Sequence, residues 1–190
     1  MTEDEVKDYC SNLIEDLSDF KNQYRIIYQI SNTITETLNN KGTIFFCGNG
    51  GSAGDSQHIA AEFTGRFLKE RRSLPAISLT TNTSVITAIG NDYSYDDIFS
   101  RQVSGLMKNN DCLIGISTSG KSKNVINACV EAKKIGAKTI SFTGNFDSEL
   151  SQITDISFKA TSKHTPRIQE NHIMALHAIC DIVERTLFHN

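Results

Sequence analysis

His58 and Glu62 stand four residues apart in the stretch FFCGNGGSAGDSQHIAAEF, residues 45–63. On a helix this spacing puts both side chains on one face, about 6 Å apart. Such a pair can supply two ligands to one metal ion, or a ligand beside a general base; it equally suits a surface hydrogen bond. Just ahead of it, Gly48, Gly50 and Gly51 let the backbone turn sharply and approach a ligand, while Asn49 and Ser52 offer polar contacts. Gly48, Gly50 and Ala53 also satisfy a relaxed dinucleotide fingerprint. That fingerprint wants an acidic residue at the end of the next strand. Glu70 has the distance but precedes that strand, which argues against a nicotinamide or flavin site.

A second loop lies in LIGISTSGKS, where Gly115 to Ser122 match the P-loop pattern letter by letter. A P-loop has its first glycine at the end of a strand and a carboxylate on a neighbouring strand for magnesium. Here Gly115 sits between Ile114 and Ile116, inside an apolar run, and no other expected strand ends in Asp. The loop reads better as a cradle for one phosphate. Ser117, Thr118, Ser119 and Ser122 offer hydroxyls where a helix begins near 123, and free amides at a helix start attract an anion. The last helix, PRIQENHIMALHAICDIVERTLF, begins with Pro166, suited to a first turn, and carries Gln169, His172 and His177. Gln169 and His177 lie about 80° apart around the axis and about 12 Å apart along it, so meeting at one object takes reach. His172, about 140° from His177, faces elsewhere.

These residues need a scaffold. Apolar runs at 43–47, 75–80, 112–118, 139–144 and 155–160 read as five strands. Helical periodicity occupies the stretches near 53–68, 83–89, 97–107, 123–135, 148–153 and 167–188. The alternation predicts an α/β fold: an open five-stranded parallel sheet flanked by helices, with ligands bound beyond the carboxyl ends of the strands. Residues 1–41 contain no Gly or Pro, and Val6, Tyr9, Cys10, Leu13, Ile14, Leu17 and Phe20, then Ile27, Ile30, Ile34 and Leu38, recur at three- and four-residue steps. They read as one or two amphipathic helices whose apolar stripe packs on the chain's own sheet or against another subunit. With no repeat or linker, residues 1–190 read as a single domain, a helical segment over 1–41 and an α/β core over 42–190.

At 190 residues the chain can bury a substantial core. Its net charge of −3, with basic residues scattered apart from KERR at 69–72, argues against nucleic acid as a partner. The five cysteines are far apart and lack CxxC spacing, which fits buried, reduced thiols. The acidic start MTEDEVKDYC has no leader-like pattern, and no apolar run reaches the ~18 residues of a membrane span. The expectation is a cytoplasmic protein without a membrane partner.

CGNGGSAGDSQHIAAEFTGRF, AIGNDYSYDDIFSRQV, GISTSGKSKNVI and RIQENHIMALH together resemble, in order and spacing, the phosphoheptose isomerase family of sugar-isomerase (SIS) domains. The resemblance covers nearly the whole chain and is weakest over 1–40 and 145–165. It implies a SIS-type, flavodoxin-like three-layer fold and a homotetramer packed through N-terminal helices, with active sites at subunit interfaces. It further implies interconversion of sedoheptulose 7-phosphate and D-glycero-D-manno-heptose 7-phosphate through an enediol, for lipopolysaccharide or other surface heptoses. Carried over by position, it makes His58, Glu62, Gln169 and His177 the ligands of one zinc ion per subunit, with Glu62 and His177 as the catalytic pair. The implied substrate-binding positions are Asn49, Gly50, Gly51, Ser52, Glu62, Asn91, Asp92, Ser117, Thr118, Ser119, Ser122 and Gln169. Pro166 departs from the pattern, standing where many relatives carry an acidic residue; any role of that carboxylate is absent here or falls to another group such as Asp92.

SLPAISLTTNT, DSQHIAAEF and ICDIVERTLF also resemble a tetrameric SIS protein that associates with the replication initiator and is not an enzyme. That protein needs a docking surface and no zinc site. The presence of Glu62, His177 and the G-N-G-G-S loop favours the isomerase.

Overall fold

Every residue of β1 (Ile44–Gly48) is buried, with Ile44 and Phe46 in one apolar cluster and Phe45 and Cys47 in another. Successive strand side chains point to opposite faces, so a strand buried on both sides requires helices on both sides. The computed structural model describes residues 1–188 and has this three-layer arrangement. β2 (Ala76–Ser78), β3 (Cys112–Ile116), β4 (Lys138–Thr143) and β5 (Ile156–Lys159) join β1 in an all-parallel sheet of order β2-β1-β3-β4-β5. The connections reverse direction between β1 and β3, so the crevice beyond their carboxyl ends is the switch point where ligands bind in such sheets.

One face is covered by α2 (Tyr24–Asn39), α3 (Gly51–Thr64) and α8 (Thr165–Leu187), through Ile30, Ile34, Ile59, Leu176 and Val183. The other carries α5 (Ser100–Leu106), α6 (Lys123–Ile135) and α7 (Glu149–Ile153), through Val103, Val125, Cys129 and Leu150; α4 (Thr83–Asp92) packs at its margin through Ile86 and Ile89.

All five expected strands are present. β2 is shorter than the 75–80 run because hydroxyl bonds bend the chain away after Ser78: its Oγ meets Thr80 Oγ1 at 2.8 Å, and Thr81 Oγ1 donates to its carbonyl at 3.1 Å. The helix expected near 97–107 is divided into a 3-10 turn at Tyr95–Asp97 and α5. Gly115 lies inside β3, where a Cβ would come within 2.8 Å of Val125 Cγ1. Close packing of α6 explains this glycine, and the literal P-loop match is not a P-loop.

The N-terminal segment divides into α1 (Glu3–Asp16), a 3-10 turn at Ser18–Gln23, and α2. α1 begins in a reciprocal capping box between Thr2 and Glu5. Of the two alternatives for the apolar stripe, packing on the chain's own sheet holds for α2 and not for α1. α2 buries Ile27, Ile30, Ile34 and Leu38 against the sheet. None of the described side chains of α1 is buried, and Val6, Tyr9 and Ile14 are 45%, 54% and 76% exposed. Cys47, Cys112, Cys129 and Cys180 are buried free thiols, and Cys10 is exposed. Among the described residues no helix is long and apolar enough to cross a membrane.

Candidate active site

Only Asn49 and Gly50 separate β1 from α3. Gly50 has φ +55° and ψ −122°, a conformation open to glycine, and this lets the chain reverse within two residues. A Cβ on Gly51 would lie 2.2 Å from Gln169 Nε2, so α8 approaches the loop because that side chain is missing. Ser52 is buried in the first turn of α3. The Asn49 carboxamide faces that of Asn124 in the first turn of α6: each Nδ2 donates to the other's Oδ1, at 2.8 and 2.9 Å.

The loop after β3 lies on the opposite side of the crevice. Ser117 Oγ and Ser122 Oγ are 2.9 Å apart, Gly120 N donates to Ser117 O, and Lys121 N donates to Ser119 Oγ at 3.2 Å. Thr118 is half-buried, and its carbonyl accepts from Gly144 N. Ser122 caps α6 without a side-chain hydrogen bond to it. A helix start lined with hydroxyls can receive a small anion through backbone amides and the helix dipole.

The histidines meet farther along α3 and α8. His58 Nε2 is 3.1 Å from Glu62 Oε1 and 3.1 Å from His177 Nε2. One donor atom from each of the three lies within 4.8 Å of the others. Two nitrogens held tetrahedrally at the usual zinc–nitrogen distance stand roughly 3.3 Å apart, so this donor set and spacing fit a zinc ion. His58 is half exposed and Glu62 about a quarter exposed, so the cluster is open to solvent. The Phe67 ring stacks on His177, centroids 5.7 Å apart.

The expected residues of α3, α4 and α8 fall into four groups. His58, Glu62 and His177 converge within one chain, without help from a neighbour. Gln169 stands against Gly51, two turns of α8 away from His177, so the trio forms without it. Asn91 and Asp92 are exposed at the end of α4, where Asn91 Nδ2 donates to Asp92 Oδ1 at 2.8 Å. His172 points away from His177 as expected and lies in the core, its Nε2 2.9 Å from Thr143 O, and burial pushes its pKa down to about 4 despite that bond.

Several participants escaped the sequence reading. Asp55, three residues before His58, has a buried Oδ2 with no hydrogen-bond partner among the described residues. Burial raises its pKa, opposed by the charges of His58 and His177. The spacing Asp55, His58, Glu62 marks one helical face and could have signalled it. Tyr95, Asn124, Phe67 and the buried pair Arg71–Glu184 carry no local signal, since each acts through a residue distant in sequence.

A family model for the SIS domain matches residues 8–144. The phosphoheptose isomerase of Aliarcobacter butzleri (strain RM4018) is 54% identical over 84% of this chain and 84% of that protein. The one from Helicobacter pylori (strain P12) is 50% identical over 86% of this chain and 85% of that protein. Among solved structures, a phosphoheptose isomerase from Neisseria gonorrhoeae superposes with a TM-score of 0.89 at 39% identity, covering 96% of this chain and 98% of that one. A phosphoheptose isomerase from Francisella tularensis gives 0.92 at 35% identity, covering 97% and 100%. These likenesses favour the isomerase and do not support the initiator-binding alternative. Matched by the SIS model over most of its length, and aligned with these enzymes over most of theirs, the chain belongs to the phosphoheptose isomerase family of SIS-domain proteins.

Proposed function

We propose that this enzyme interconverts sedoheptulose 7-phosphate and D-glycero-D-manno-heptose 7-phosphate, in the cytoplasm and in the service of surface-heptose synthesis. The observation that carries the reading is the convergence of His58, Glu62 and His177 at mutual distances suited to one metal ion. In this reading the loop from Ser117 to Ser122 holds the phosphate, and Asn49, Gly50, Gly51 and Ser52, with Asn91, Asp92 and Gln169, hold the sugar chain.

An aldose–ketose exchange moves one proton between neighbouring carbons and another between their oxygens. Glu62 takes a proton from C1 of the ketose and returns it to C2. His177 carries the hydroxyl proton from O1 to O2, so the enediol forms and collapses with no net gain or loss of protons. His58, Glu62 and His177 would hold a zinc ion, which would supply polarisation of the carbonyl oxygen; Gln169, two turns along α8 from His177, is the fourth ligand that the family resemblance implies. One carboxylate cannot ligate and accept a proton in the same step, so Glu62 changes its contacts during turnover. The homotetramer is part of the proposal: exposed apolar residues on α1 support association through that helix, and association would bring the loops of one subunit towards the open trio of another.

Proton NMR of zinc-loaded protein with sedoheptulose 7-phosphate tests the reading. Anomeric signals of the aldose phosphate should appear with wild type and be absent with Glu62→Gln and His177→Ala. A wild-type protein that binds zinc yet yields no aldose overturns it.

A further inference from the structure

We propose that Asn124 and Tyr95 are positioning residues that fix the Asn49 carboxamide so that it offers the sugar phosphate a hydrogen-bond donor and not an acceptor. The inference rests on Asn49 as a substrate-binding position.

Asn124 is 2% exposed, and its Oδ1 accepts from Val125 N at 2.9 Å, a hydrogen shared with Ser122 O at 3.1 Å, as well as from Asn49 Nδ2 at 2.8 Å. A backbone N–H can face only an acceptor, so this contact decides which end of the Asn124 amide is oxygen. Its Nδ2 is thereby turned on Asn49 and requires an oxygen there, which Asn49 Oδ1 supplies at 2.9 Å. The same oxygen accepts the Tyr95 hydroxyl at 3.0 Å. A carbonyl oxygen has two lone pairs, and both are then used. Of the two hydrogens on Asn49 Nδ2 one goes to Asn124, and the other is the group's remaining valence. The carboxamide therefore reads a carbonyl or hydroxyl oxygen of the substrate.

Tyr95 is itself held in place. Asn127 Nδ2 donates to Asp96 O at 3.1 Å, tying the 3-10 turn to α6, and Ser94 Oγ accepts from Asp96 N. The relay links the loop after β1, the start of α6 beside the serine loop, and the segment that follows Asn91 and Asp92. Because Tyr95 is 58% exposed, removing its hydroxyl leaves the core intact.

The test is Tyr95→Phe against wild type, with sedoheptulose 7-phosphate and inorganic phosphate as calorimetric probes and with steady-state kinetics. Loss of one orienting hydrogen bond should raise Kd and KM for the sugar phosphate roughly three- to tenfold. The same variant should leave kcat within twofold, and zinc content, thermal midpoint and phosphate affinity unchanged. Sugar-phosphate Kd and KM within twofold of wild type would overturn the relay. So would a parallel weakening of phosphate binding, which marks a loosened pocket and not a turned carboxamide. Failure of wild type both to bind and to turn over the sugar phosphate removes the functional reading itself, and the relay with it.

Discussion

Neutralising Glu184 tests how α3 and α8 are held in register. Oε1 of this carboxylate accepts from Phe67 N at 3.0 Å and Arg71 Nε at 2.8 Å, and Oε2 accepts from Leu68 N and Lys69 N, each at 2.8 Å. The guanidinium of Arg71 also donates to the carbonyls of Glu62, Phe63, Gly65 and Arg72, at 2.8, 2.9, 3.2 and 3.0 Å, and so caps the end of α3. Both side chains are 2% exposed, so water does not screen the pair. Glu184→Gln turns one oxygen into an NH2 and leaves two donors facing a donor. At about 1–3 kcal/mol for each buried polar group left unpaired, the two together cost roughly 2–6 kcal/mol. This agrees with the about 3–5 kcal/mol typical of removing one partner of a buried ion pair. Burial favours the neutral acid, but the bonds from Leu68, Lys69, Phe67 and Arg71 outweigh it and hold the carboxyl pKa below its usual range. Its contribution is therefore complete above the unfolded-state carboxylate pKa and is lost as pH falls through the folded-state value. The damage should reach the candidate metal site, because the pinned segment carries Phe67, which stacks on His177. Urea unfolding at one protein concentration, so that association is held constant, measures the stability; metal analysis of the native protein measures zinc. A Glu184→Gln protein within about 1 kcal/mol of wild type at neutral pH would refute the reasoning.

Other perturbations have equally definite outcomes. His172 has a folded-state pKa of about 4 against 6.5 for the unconstrained side chain. Its stabilising contribution is complete above 6.5 and is lost as pH falls towards 4. From pH 7 to pH 5 this single group should cost about 2 kcal/mol in urea unfolding, a slope that His172→Gln flattens. Gly51→Ala places a methyl where Gln169 Nε2 now lies. The glutamine end can swing aside, so the thermal midpoint should hold while isomerase activity falls at least tenfold by the NMR assay; full activity would mean that Gln169 is not needed beside the loop. His58→Ala removes the donor at the centre of the trio. Zinc content should fall below a tenth of wild type, and dialysis of wild type against a chelator should abolish turnover, with restoration on adding zinc.

Much of the scaffold was legible because its signals are local. A parallel strand buried on both faces, such as β1 or β3, reads as a continuous apolar run, and the five runs became the five strands. The step from Asp55 to His58 to Glu62 puts three polar groups on one side of α3 by helical geometry alone, although only the last two were read from it. Gly50 marks a turn through a positive φ that depends on no other element. Less visible were contacts whose partners lie far apart in the chain. His177 reaches His58 across 119 residues, and Asn49 meets Asn124 across 75. Gln169 is a further case: its place beside Gly51 follows from the packing of α8 on α3 and has no local signal.

The two N-terminal helices show the same division. Their apolar periodicity is similar in sequence, yet α2 lies on the sheet and α1 keeps its apolar side chains in the open. Periodicity states that a stripe exists, because side-chain direction follows from backbone geometry within a turn or two. What covers the stripe, and which distant histidine completes a site, depends on how whole elements pack across the sheet. The sequence alone therefore determined the α/β architecture, the loops that follow β1 and β3, and the His58–Glu62 face. The closing of that face by His177, its support by Phe67 and the Arg71–Glu184 pair, and the orientation of Asn49 were decided only by the tertiary structure.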